Sequence, residues 1–136
     1  MQGAKQTDGV LGVAEKYMDE TVILRRWFHA HPEPSLKEYS TSDRIKQELD
    51  RLGIPYRSAG ETGIVGIIEG SAPASGNRQI VGLRADIDAL EIQEQNDVEY
   101  RSLNRGLMHA CGHDSHIASL RRQGYWLKKK LILKAL

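Results

Sequence analysis

From residue 10 to residue 29 apolar positions recur at helical spacing, through Val10, Val13, Ala14, Tyr17, Met18, Val22, Leu24, Trp27 and Phe28. Arg25 and Arg26 stand near the end of this stretch, where cations suit the helix dipole. The pattern predicts a helix that His31-Pro32-Glu33-Pro34 stops, because proline donates no backbone hydrogen bond and restricts the residue before it. A second helix is predicted from Ser40 or Thr41 to Leu52. Either hydroxyl would cap its first amides, Ile45, Leu49 and Leu52 would form one apolar stripe, and Gly53 would end it. Three apolar runs then read as strands: a short edge strand over 54–57, a buried one over 63–69 and another over 79–85. The Gly/Ser/Pro-rich residues 70–78 read as a hairpin-like connection between the last two. Amphipathic helices beside apolar strands predict a layered α/β arrangement whose strand order the pattern does not fix. Residues 95–110 read as an irregular loop, and 115–136 as potentially helical without a clean apolar stripe.

Composition narrows the class without naming a partner. The chain has 136 residues, 40% hydrophobic and 27% charged with a formal net charge of +1, which is too apolar and too balanced for disorder. That charge gives no reason to expect nucleic acid. It conceals an asymmetry: all 18 acidic residues precede residue 115, against 13 Lys and Arg, whereas 115–136 carry six Lys and Arg and no acid. The run Lys128-Lys129-Lys130 is read as part of a solvated basic face. Cys111 is the single cysteine, so no intramolecular disulfide is expected, and the opening eight residues are too polar to start a secretory signal. No stretch approaches the ~20 apolar residues of a membrane span. The expectation is a soluble protein of a reducing compartment, the cytoplasm.

Two groups of residues carry candidate chemistry. The first is Arg84-Ala85-Asp86-Ile87-Asp88-Ala89-Leu90 at the end of the third apolar run. In extended chain Asp86 and Asp88 point to one side, at the carboxyl edge of the predicted sheet, where open α/β folds place ligands. Such a pair can bind a metal or orient a ligand. It is read equally well as two surface acids ending a strand, with Asp88 capping a following helix. The second is Met108-His109-Ala110-Cys111-Gly112-His113-Asp114-Ser115-His116, which holds three of the five histidines and the only cysteine. Thiolate and neutral imidazole are the donors of zinc-like metals. Cys111 and His113 are two apart and do not share a helix face, so together they ligate only from a strand or loop, for which Gly112 gives backbone freedom. Asp114 could orient an imidazole, and His109 or His116 could act as ligand or acid/base. A cysteine nucleophile, a structural zinc site and an inert buried thiol in a histidine-bearing loop are the competing readings. His29 and His31 read most simply as a helix end packed on the core with polar tips outward.

Taken in order, Arg25-Arg26-Trp27-Phe28-His29-Ala30-His31-Pro32-Glu33-Pro34, Glu38-Tyr39-Ser40-Thr41-Ser42, the segment from Leu83 to Leu90 and the segment from Met108 to Asp114 resemble the metal-dependent amidohydrolases that hydrolyse N-acyl-amino acids. That family includes hippurate hydrolases, aminoacylases and plant indole-acetyl-amino-acid hydrolases, and the resemblance runs from about residue 24 to 119. It implies a zinc-peptidase-like three-layer α/β catalytic domain with a dinuclear site for divalent metal ions (Mn, Zn, Co or Ni). It also implies a small-molecule N-acyl-amino acid substrate, no nucleic acid or membrane partner, and a smaller inserted domain used for homodimerisation.

Carried over by motif, Cys111 and His113 look like metal ligands, and Asp88 resembles the catalytic-site aspartate that orients a metal-binding histidine. Asp86 is its motif neighbour, while His109, Asp114 and His116 enter as supporting or structural groups. Glu91, Arg105 and Ser115 depart from the family's usual proline, proline and glycine. Family members are much longer, and their paired glutamates, further histidine ligands and inserted domain lie downstream of these motifs. Residues 1–119 are therefore expected to be the N-terminal portion of an incomplete catalytic domain. Residues 120–136 are expected to be an atypical basic tail, of the kind a frameshift near Leu120 would produce. The isolated chain is expected to be inactive; the competing expectation is a non-catalytic product that at most binds metal or a full-length relative.

Overall fold

The structure is a computed structural model that describes residues 12, 15–70 and 80–133, the side chains of 126 and 128–133 excepted. In chain order the described elements are α1 (Met18–Ala30), α2 (Tyr39–Leu52), β1 (Tyr56–Ala59), β2 (Gly63–Gly66) and α3 (His113–Leu133). The core lies where α1 meets α3: Leu24 and Phe28, one turn apart on α1, are buried against Ile117 and Ala118, with Trp27, Ile45 and Ile87 packed around them. Among the described residues no helix is long and apolar enough to cross a membrane.

The predicted first helix is found from Met18, and its expected start at 10, 11, 13 and 14 lies outside the described residues. It stops as the two prolines require. The His31 ring closes the last turn, Nδ1 donating to the Trp27 carbonyl at 2.7 Å while the ring stacks on the Trp27 indole at 4.3 Å.

The second helix is where expected but is capped differently. The carboxylate of Glu33 accepts from the amides of Ser40 at 3.0 Å and Thr41 at 2.7 Å, whereas the buried hydroxyls of Thr41 and Ser42 have no hydrogen-bond partner among the described residues. A charged acceptor that reaches two amides at once satisfies more of the helix end than one hydroxyl, and the dipole favours it. Gly53, at φ 61°, ends the helix in the left-handed conformation as predicted. The expected stripe of Ile45, Leu49 and Leu52 is only half buried, and Glu48 on the same helix is buried instead. Its carboxylate meets Arg44 at 3.1 Å and Arg121 at 3.1 Å.

The strands depart most from expectation. β1 and β2 form an antiparallel hairpin, from Tyr56 opposite Gly66 to Ala59 opposite Gly63, turned at Gly60 with φ 69°. The strand predicted as buried over 63–69 is thus short and half exposed. Residues 80–85 form no ladder: Ile80 is 94% and Val81 82% exposed. Apolar residues make a strand only where a neighbour pairs their backbone and covers their faces, and among the described residues nothing pairs this one. The proposed connection over 71–78, and residue 79, lie outside the described residues. The fold is α/β, with a sheet of two strands among the described residues.

The irregular loop over 95–110 is present as predicted. Its path is fixed by Leu103 N donating to the Ala30 carbonyl and Asn104 Nδ2 to the Pro32 carbonyl. The C-terminal segment continues as α3, and not all of its cations are solvated. Arg121 is nearly buried and pairs with Glu20 at 3.2 Å as well as with Glu48.

Candidate metal centre

Two isolated bridges, not a sheet, bring the two motifs together. Pro34 pairs in parallel with Ala89, and Leu90 pairs antiparallel with Met108, each donating its amide to the other's carbonyl at 3.0 Å. The chain therefore passes from 108 to 113 alongside 86–90. Gly112, at φ 86°, turns it into α3, a conformation that side-chain-bearing residues rarely adopt.

At that turn His113 is the first residue of α3. Its Nδ1 donates to the Asp88 carbonyl at 2.9 Å, and the Asp88 carboxylate Oδ1 lies 3.1 Å from the same nitrogen. This directs Nε2 outward, 3.9 Å from Asp86 Oδ2. The exposed Cys111 Sγ approaches the same Asp88 carbonyl at 3.9 Å. His116 stands beside His113, ring centroids 5.5 Å apart. Hydrogen bonds from Arg84, at 3.0 Å from Nε and 2.7 Å from Nη2, hold the Asp86 carboxyl below its ordinary range, helped by the charge of Arg84 and by the two histidines. No helix follows Asp88, so the reading of that residue as a helix cap does not hold.

The structure brings Asp86, Asp88, Cys111, His113 and His116 to one region, with His109 buried beside it and Asp114 turned away. Asp114 is fully buried and turned toward α1: Oδ2 accepts from Arg25 Nε at 2.8 Å and His29 Nδ1 at 2.7 Å, and Oδ1 from the Ser115 amide at 2.8 Å. His109 is buried with neither ring nitrogen partnered among the described residues. Burial pushes its pKa down to about 4, so it is a neutral imidazole near pH 7.

The reading of His29 as a helix-end residue with its polar tip outward is corrected. Its ring is 4% exposed and lies between Asp114 and Glu94, with Nε2 at 3.1 Å from Glu94 Oε1. Packing of the last turn of α1 on the start of α3 turns this face inward. Arg25 and His29 stand four apart, a spacing that could have marked them as one face, whereas Glu94 has no sequence signal. Burial pushes the Glu94 carboxyl up, but hydrogen bonds from the Ser102 amide, His29 and Asn96 outweigh it and hold it below the usual glutamate range. A carboxyl depressed in the folded state contributes stability that is present above its unfolded pKa and is lost as pH falls through the folded value. Glu94→Gln is therefore expected to flatten the acid side of the stability profile below about pH 4.3, measured by urea unfolding at stepped pH. An acid limb as steep as that of the wild type would contradict the assignment.

An open cleft of about 490 Å³ runs from Arg25, His29 and Glu94 past Tyr100 to His109 and Cys111. Cys111, which lines this cleft, and the outward Nε2 of His113 have the chemistry of zinc-type ligands, and an imidazole whose other nitrogen donates to a backbone carbonyl is a usual ligating arrangement. The donor set fits a divalent metal but is partial: among the described residues no three His, Cys, Asp or Glu side chains come close enough to hold an ion.

The fold and this partial donor set have counterparts among known proteins. Residues 82–129 match the sequence profile of peptidase family M20/M25/M40. Thermostable carboxypeptidase 2 of Saccharolobus solfataricus is 44% identical over 113 residues, 82% of this chain and 28% of that protein. "Putative amidohydrolase YhaA" of Bacillus subtilis is 44% identical over 117 residues, 85% of this chain and 27% of that protein. Among solved structures, the Bacillus subtilis YXEP protein, described as a dinuclear metal binding peptidase from the M20 family, superposes with a TM-score of 0.78 at 34% identity. That superposition covers 86% of this chain and 32% of the YXEP chain. In these matched residues the chain resembles the M20/M25/M40 peptidases. It spans about 28% of the length of the carboxypeptidase it matches.

Proposed function

We propose that this chain supplies part of the metal centre of a hydrolase that cleaves the amide bond of N-acyl-amino acids, in a cytoplasmic setting. The observation that carries the reading is that Cys111 Sγ and His113 Nδ1 approach one and the same carbonyl, that of Asp88, at the start of α3. When bound, a divalent metal supplies an activated water and polarises the scissile carbonyl. The residues of this chain prepare for it. The Asp88 carbonyl accepts the Nδ1 proton of His113, which fixes the tautomer, aims Nε2 outward and makes it a better donor, with the Asp88 carboxylate 3.1 Å from the same nitrogen. Asp86, kept ionised by Arg84, adds negative charge where a cation would sit. Cys111 and His113 alone give a weak hold on metal, and the cluster includes no evident general base. The chain by itself is therefore expected to release no glycine from N-benzoylglycine above a free-metal blank.

Both relatives support hydrolytic chemistry, and their names divide over the substrate: one is a carboxypeptidase and the other carries an amidohydrolase name. The motif resemblance to N-acyl-amino-acid hydrolases favours the second. Replacing the matching segment of YhaA by this chain tests the choice. The reading predicts that the hybrid, loaded with Mn²⁺ or Zn²⁺, releases amino acid from N-benzoyl and N-acetyl substrates. It predicts further that Asp88→Asn, which removes the carboxylate charge 3.1 Å from Nδ1 of His113, lowers metal affinity or activity by roughly 10–100-fold. Cleavage confined to peptides with free amino termini would instead support the carboxypeptidase reading.

A further inference from the structure

We propose that His29 is a positioning residue for the metal centre, acting through Asp114 to hold the first turn of α3; this rests on the reading that Cys111 and His113 take a metal. The two ring nitrogens of His29 face carboxylate oxygens from different parts of the chain, Asp114 at the start of α3 and Glu94 in the loop that follows the Asp86–Asp88 segment. Each carboxylate also holds backbone: Asp114 Oδ1 takes the Ser115 amide inside α3, and Glu94 Oε2 takes the Ser102 amide inside the loop. Arg25, one turn before His29, adds a second donor to Asp114 Oδ2 at 2.8 Å.

His29 thus ties together the two segments that must stay in register for Asp88 to meet His113. The loop bearing Glu94 is continuous with Leu90, whose bridge to Met108 sets the approach of Cys111. Asp114 is the chain neighbour of His113. A small rotation of the first turn of α3 would carry Nδ1 of His113 away from Asp88 and Nε2 away from the direction it shares with Cys111. Because His29, Glu94 and Asp114 are nearly fully buried, water does not readily replace the hydrogen bonds lost between them.

The test is a Co²⁺ titration of the 136-residue chain followed by the thiolate-to-cobalt charge-transfer band, with thermal unfolding recorded in parallel. His29→Gln is expected to weaken Co²⁺ binding by at least about 10-fold and to change the band at saturation, the scale found when a group behind a ligand is lost. Phe28→Leu, a core change off the network, serves as the stability control and is expected to lower Tm while leaving the dissociation constant and the band of the folded chain unchanged. If His29→Gln does not fold, Glu94→Gln carries the test, since it weakens the anchor on Nε2 that sets the His29 ring against Asp114; weaker binding supports the proposal. Wild-type affinity and band in whichever network variant folds would overturn it, as would an equal loss of affinity in Phe28→Leu. Absence of a Cys111-dependent band in the wild type would instead contradict the metal reading, and the proposal would fall with it.

Discussion

Asp114→Ala is expected to lower the stability of the chain by about 3–5 kcal/mol, the usual cost of removing one partner from a buried charged pair. The substitution leaves His29, 4% exposed, without the acceptor 2.7 Å from Nδ1, and removes the carboxylate that Arg25 Nε meets at 2.8 Å. It also frees the Ser115 amide, which Asp114 accepts at the start of α3. Domains of ordinary stability hold about 5–15 kcal/mol in all, so this one change takes a large share. Asp114→Asn is expected to cost distinctly less, because the amide oxygen still accepts from one donor in nearly the same place. Urea unfolding followed by circular dichroism distinguishes the two. Equal midpoints for the alanine and asparagine variants would show that the network contributes packing alone.

His113→Ala is the second large effect, and it falls on metal and not on folding. The ring is part-exposed at the first position of α3, where it anchors no core contact, so stability is expected to change by less than about 1 kcal/mol. Metal affinity is expected to fall by more than the roughly 10–100-fold that loss of a supporting group costs, because a donor atom itself disappears. Calorimetric titration with Zn²⁺, read beside a melting curve, checks both halves. A variant that melts much lower yet binds Zn²⁺ normally would reverse the assignment and make His113 a structural residue.

The first two helices were legible because their signals are local: apolar spacing around Leu24 and Phe28, two prolines after His31, and a glycine after Leu52. The candidate ligands were legible for the same reason, since Cys111 and His113 stand two apart in one histidine-rich run. What was hidden depends on residues far apart in sequence. The cap of α2 comes from Glu33, outside the helix, and no hydroxyl pattern announces it. His29 meets Asp114 across 85 positions and Glu94 across 65, so a sequence reading could see three ordinary residues but not their cluster. The segment over 80–85 has the composition of a strand, but composition does not supply the neighbour that would pair its backbone. Arg121, in the stretch read as a solvated basic face, finds Glu48 across a helix packing that local charge counting does not reveal.

Zinc K-edge X-ray absorption on the chain with one equivalent of Zn²⁺, compared with Cys111→Ser, tests the central claim most directly. A shared Cys111–His113 site predicts a sulfur scatterer at about 2.3 Å beside nitrogen at about 2.0–2.1 Å, with the sulfur contribution lost in the serine variant. A shell of nitrogen and oxygen alone, identical in the two proteins, would contradict it.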